Sequence, residues 1–175
     1  MNLDRSHLKW VVAVLVVAAV AAAGYVGWPG DRTGSSPLGL FFGLSGTSLM
    51  AFAGLLPFKR RLSRWKIVRP QTLQRGHIWL GLLSLPLILF HCGFRGGGSL
   101  STALLTLLTA IMLSGVAGLL FQHLLPLCKE GKTGKGRTAA VLIAAVHRLT
   151  LLLHIPLAVA LLILVVFHAV MSLYF

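Results

Sequence analysis

The sequence predicts an all-α integral membrane protein, with five transmembrane helices in a single domain over residues 1–175. Three observations predict it. Hydrophobic residues make up 57% of the chain and charged residues only 11%, whereas an ordinary soluble domain is about a quarter charged. Five apolar runs, at about 10–28, 38–58, 77–94, 100–127 and 149–175, approach or exceed the ~20 residues a helix needs to cross the hydrocarbon layer. The basic residues fall in alternate connections between those runs. A soluble core of this size could not hide so much apolar surface, and mean hydropathy is +0.88. Two cysteines are too few for a disulfide scaffold. Sparse charge with high apolar content excludes disorder. The runs are continuous rather than alternating, which excludes barrel strands.

The first run has a basic lead and ends in Ala21, Ala22, Ala23 and Gly24, the outline of a signal peptide. We read it as a retained first helix, rich in Ala and Val and without a group able to do chemistry. The second run carries Gly39, Gly43, Thr47 and Ala51 at every fourth position. Such a small-residue stripe lets helix backbones approach closely. Residues 138–146 are apolar but short, and form either an interfacial helix or a lead-in to the fifth span. Trp10, Trp28, Trp65 and Trp79 fall near expected interfaces, the usual aromatic belt.

Orientation follows from charge. Arg5 and Lys9 precede the first span. Lys59, Arg60, Arg61, Arg64, Lys66, Arg69 and Arg75 lie between the second and third. Lys129, Lys132, Lys135, Arg137 and Arg148 lie between the fourth and fifth, leaving only Arg32 and Arg95 in the other connections. Fourteen basic residues against two predict a cytoplasmic N-terminus and an extracytoplasmic C-terminus, with a bacterial inner membrane as the simplest home. The same topology accounts for the net charge of +13, so nucleic acid is not an expected partner.

Seven histidines remain to be explained, and His7 belongs to the charged N-terminus. His77 and His91 are 14 residues apart in the third run, and His154 and His168 are 14 apart in the fifth. Fourteen residues are close to four helical turns, so each pair shares a face and spans about 21 Å. The third and fifth helices run in the same direction. His77 and His154 therefore fall toward the cytoplasm, and His91 and His168 toward the far side. Imidazoles from opposite sides fill both axial positions of a haem iron. Zinc fits less well, because it wants four clustered ligands. Polar groups in a span also belong in the interior with a task to perform. The expectation is two non-covalent b haems, one on His77 and His154, the other on His91 and His168. The stripes between the ligands are Gly81, Ser84 and Ile88 in the third helix, and Ala158, Leu161 and Val165 in the fifth. Gly81, Ser84 and Ala158 are small where bulk would obstruct a porphyrin.

Arg75, Arg95 and Arg148 lie near these histidines and are candidates for pairing with haem propionates. Plain loop charge explains them equally well. His123 and His147 are candidates for contact with a propionate or a quinone, against the simpler reading as interfacial histidines. Cys92 and Cys128 fall on opposite sides of the membrane and cannot bridge. No Cys-x-x-Cys-His occurs, which excludes covalent c-type attachment.

These segments resemble known proteins. Arg75-Gly76-His77-Ile78-Trp79-Leu80-Gly81, Pro86 through His91, His147-Arg148-Leu149, His154-Ile155-Pro156 and Phe167-His168 are similar to the diheme b-type membrane cytochromes. The placement on helices three and five looks like the ferric reductase-like and NADPH oxidase transmembrane domain, and more distantly like respiratory cytochrome b. The resemblance covers about residues 70–175, and it carries the axial-ligand role to His77, His154, His91 and His168. The reductases it resembles add a flavin and nicotinamide module after a sixth helix. Here the sequence closes at Phe175 without a dinucleotide-type glycine pattern, so a separate partner is expected to feed the chain.

The expected function is one-electron transfer across the membrane, as the cytochrome b subunit of an oxidoreductase complex. A quinone pool or cytoplasmic-side donor or acceptor would stand at one end. An extracytoplasmic carrier, such as a multihaem c-type cytochrome, would stand at the other. Two other readings are a self-contained ferric or quinol reductase and a haem-free anchor or assembly subunit.

Overall fold

A computed structural model describes the backbone of residues 5–62, 70–130 and 134–174. Five helices make it up: α1 (Arg5–Gly27), α2 (Pro37–Leu62), α3 (Pro70–His91), α4 (Ser99–Glu130) and α5 (Gly134–Tyr174). No strand occurs among the described residues. Each helix contains a segment long and apolar enough to cross a membrane. The faces of α1 and α5 show why: Val20 and Leu152 are 68% and 70% exposed, a state that only lipid or another apolar partner makes favourable.

The boundaries depart most from the sequence reading at two helices. The third helix starts at Pro70 rather than residue 77, so Arg75 lies inside the span Thr72–His91 and not in a connection. Proline suits a first helical turn, where its missing N–H has no partner to lose. The same helix ends at His91 rather than residue 94. Gly93 and Phe94 take φ of 60° and 58°. Their amides return to Phe90 O at 3.2 Å and Leu89 O at 3.0 Å, a Schellman closure. The fifth helix starts at Gly134, and residues 138–146 are its continuous lead-in. Its apolar segment Ala140–Ser172 has 33 residues, about 50 Å at helical rise, well beyond a ~30 Å hydrocarbon layer. His147 and Arg148 therefore belong to that helix and not to a loop.

The chain divides into two compact units, Asn2–Thr102 and Ala103–Phe175. In the first, α3 packs against both α2 and α1. Phe42, Leu83, Leu87 and Phe90 form its core, with Ala18, Ala21, Ala22 and Tyr25 of α1 laid against them. Alanines at the contact let α1 approach closely. Tyr25 stacks on Phe90 at 5.0 Å between centroids, and Phe42 meets Phe90 at 5.3 Å. The α1–α2 connection is fastened by its own polar groups. Arg32 donates to Val26 O at 2.8 Å and Trp28 O at 3.1 Å, and lies over the Tyr25 ring. Asp31 accepts from the Thr33 hydroxyl at 2.6 Å and the Thr33 amide at 3.0 Å, which holds its carboxyl below the usual value.

Ser36 caps α2. Its hydroxyl accepts from the Gly39 amide at 3.1 Å and donates to Thr33 O at 2.7 Å, while the residue is buried. Ser36→Ala removes both bonds. It is expected to lower the stability of the detergent-solubilised protein by about 1 kcal/mol, read by chemical denaturation, with the helical content of the native state unchanged.

Candidate functional site

The imidazoles of α3 face α2. Carbonyl oxygens only accept, so the nitrogen beside each must carry a proton. His91 Nδ1 donates to Gly39 O at 2.9 Å, and His77 Nδ1 donates to Ala53 O at 2.9 Å. In the neutral form each ring therefore keeps its lone pair on Nε2. The glycines of α2 make this possible. A Cβ at Gly43 would lie 2.6 Å from His91 Nδ1, and one at Gly46 would lie 2.9 Å from Ile88 Cδ1. A Cβ at Gly34, in the α1–α2 connection, would come within 3.4 Å of His91 Cε1 and 3.7 Å of Nε2. The expected small-residue stripe thus serves close approach at Gly39 and Gly43, and the neighbour that comes close to Gly43 is a histidine ring.

Between the two rings on α3, Ser84 is completely buried and donates to Gly81 O at 2.6 Å. Nothing lies within 4 Å of where a Gly81 Cβ would be, so there is open space one turn from His77. Cys92 follows His91 as a half-buried free thiol, and burial pushes its pKa up.

The second unit repeats the anchoring with a different acceptor. His154 Nδ1 lies 2.8 Å from Ser114 Oγ, across from α5 to α4. The Ser114 hydroxyl points its proton at Ile111 O, 2.8 Å away. At the His154 contact either partner can donate, according to the tautomer of the ring. Gly115 adjoins this ring: a Cβ there would stand 3.5 Å from His154 Cε1. His168 is half-buried near the C-terminal end of α5, and its carbonyl accepts from Ser172 Oγ at 2.8 Å. Ala158 is half-buried and Leu161 is buried.

The remaining candidates scatter. Arg75 is half-buried two residues before His77, while Arg95 and Arg148 are exposed. His147 is half-buried, and among the described residues its Nδ1 has no hydrogen-bond partner. The side chains of His7 and His123 lie outside the described residues, as do Arg64, Lys66, Arg69 and Lys132.

The Nδ1 contacts of these rings are of the kind that a metal-ligating histidine keeps. Metal-ligating histidine characteristically donates its other N–H to a carbonyl, carboxylate or similar group, which orients the ring and raises its basicity. His77 and His91 are arranged so, and His154 Nδ1 meets a hydroxyl. Among the described residues no group of three or more His, Cys, Asp or Glu could hold a metal ion. A porphyrin, which brings four nitrogens of its own, needs only two protein ligands. The backbone carbonyls of Gly39 and Ala53 and the hydroxyl of Ser114 are the elements that sequence reasoning missed. Comparison with protein-family models, with curated proteins and with solved structures finds no match for this chain.

Proposed function

We propose that the chain is a diheme cytochrome b subunit that carries single electrons across a membrane within a larger redox complex. The observation that carries the reading is the shared anchoring of His77, His91 and His154. Each lies in an apolar helix with Nδ1 engaged, and on His77 and His91 the carbonyl acceptor means that a neutral ring keeps its lone pair on Nε2. In this reading His77 and His154 hold the haem toward the cytoplasm, and His91 and His168 hold the haem toward the far side. The four-turn spacing on each helix gives the two levels. When bound, haem iron supplies reversible one-electron chemistry, and two histidines on each iron leave no open position for oxygen or another substrate.

The chain's own residues orient the rings and exclude water. Apolar helix faces keep the rings in a medium of low polarity, and Arg75, Arg95 and Arg148 are the candidates for pairing with propionates. The excess of basic residues supports a cytoplasmic N-terminus. The fit of the partners is chemical. A quinone pool offers lipid-soluble electrons, and an extracytoplasmic c-type cytochrome accepts or returns them one at a time.

A reduced-minus-oxidised absorption spectrum of the purified protein tests this. We expect a b-type band and, by pyridine haemochrome, two haems per chain. A spectrum without that band overturns the proposal.

A further inference from the structure

We propose that Ser114 is a positioning residue for His154, holding its imidazole as the Nδ1–H tautomer with the Nε2 lone pair presented to a ligand. The ligand is the haem iron in the reading above, on which that last part rests. The two histidines of α3 use backbone carbonyls for this purpose, and no side-chain substitution can remove those acceptors. His154 has a hydroxyl instead. A hydroxyl is ambivalent: it donates or accepts, and by itself it would fix no tautomer. Ile111 resolves the ambivalence. Its carbonyl, 2.8 Å from Ser114 Oγ, takes the hydroxyl proton, so the relay runs from His154 Nδ1–H to Ser114 Oγ–H to Ile111 O. Hydrogen bonds in series polarise one another, and in an apolar setting the effect is stronger than in water. The relay therefore makes Nε2 of His154 a better electron donor than a histidine without such a partner.

The geometry around Ser114 agrees with this role. A Cβ added at Gly115, its neighbour on α4, would stand 3.5 Å from His154 Cε1, in ordinary van der Waals contact, so the ring lies beside this stretch of α4. Pro156, two residues past His154, cannot donate a backbone hydrogen bond, so the helix ladder is weakened near this ring. An outside anchor matters more at such a place.

The test uses the full chain in detergent or lipid, with Ser114→Ala and Ser114→Thr. Nitrogen-15 NMR of labelled histidine in the haem-free protein, with His154→Ala assigning the signal, reads the tautomer directly. We expect one Nδ1–H tautomer in the parent chain, a mixed or reversed one in S114A, and the parent pattern in S114T. Haem titration is expected to show about a 10- to 100-fold loss of affinity at one of the two sites in S114A, recovered in S114T. An Nε2–H tautomer in the parent chain overturns the inference, and so does an S114A chain with unchanged tautomer or unchanged haem affinity. A parent chain that takes up no haem overturns the proposed function instead. The tautomer measured in that haem-free chain still decides whether Ser114 sets the ring.

Discussion

Replacing His91 with alanine is expected to remove one of the two haems and leave the other, halving the b-type absorbance per chain. In the proposed arrangement two histidines would hold each haem, and loss of one would leave that haem with a single protein ligand. The His91 ring is also a structural part. It fills the space that Gly43 leaves on α2, and it satisfies the Gly39 carbonyl at 2.9 Å. Truncation therefore leaves a cavity and removes that hydrogen bond, at about 1 kcal/mol for the bond alone. His168→Ala should show the same spectral loss with a smaller penalty in stability. The double variant His91→Ala, His168→Ala should lose no more haem than either single variant, because both remove the same group. His77→Ala and His154→Ala should deplete the other haem. The pattern of losses reads the pairing: two variants that share a haem are non-additive, and two that do not are additive. If His91→Ala and His168→Ala each leave both haems in place, the assignment of ligands fails.

The apolar helices and the four-turn spacing of histidines within α3 and within α5 were legible in the sequence for one reason. Both are periodic properties of single helices. An apolar run of twenty residues and a spacing of four turns need no knowledge of neighbours. The limits of that reading appear at the same places. Arg75 and Arg148 look like loop charges because charge interrupts hydropathy, yet a helix continues through an arginine readily, and both lie inside helices. The residues that hold the rings were invisible for a deeper reason. Gly39 and Ala53 act through carbonyl oxygens, which every residue carries, so no residue type marks them. Ser114 looks like an ordinary helix hydroxyl. In the described helices Thr109 and Thr150 return their protons to carbonyls four residues back. Ser114 does much the same toward Ile111, and only the ring at 2.8 Å on another helix separates it from them.

Gly43→Val is expected to displace His91, lowering stability by about 2–4 kcal/mol and emptying one haem site while the spans persist. The first added carbon would already stand 2.6 Å from Nδ1 and 3.0 Å from Cγ and Cε1 of the ring. Those atoms belong to a stiff ring one bond from the α3 backbone side of the side chain, not to the far end of a flexible group. The ring must swing away, and its bond to Gly39 O breaks as it does. Overpacking of this kind costs about 1–3 kcal/mol and the lost hydrogen bond about 1 kcal/mol more. Gly46→Val is the graded comparison. Its Cβ would meet Ile88 Cδ1 at 2.9 Å and Cγ1 at 3.0 Å, the movable end of a side chain, with Leu87 Cβ at 3.2 Å, so the expected cost is smaller than at Gly43 and His91 keeps its place. Gly24→Val is the neutral comparison, because nothing lies within 4 Å of its Cβ position on α1. Valine also suits a lipid-facing helix better than glycine does. The informative quantity is the ordering across the three, read as denaturation midpoint and as haem per chain. Stability lost equally at positions 43 and 46 would mean that only helix packing is at stake. Haem lost at 43 and retained at 46 and 24 is what a ring seated in a glycine notch requires.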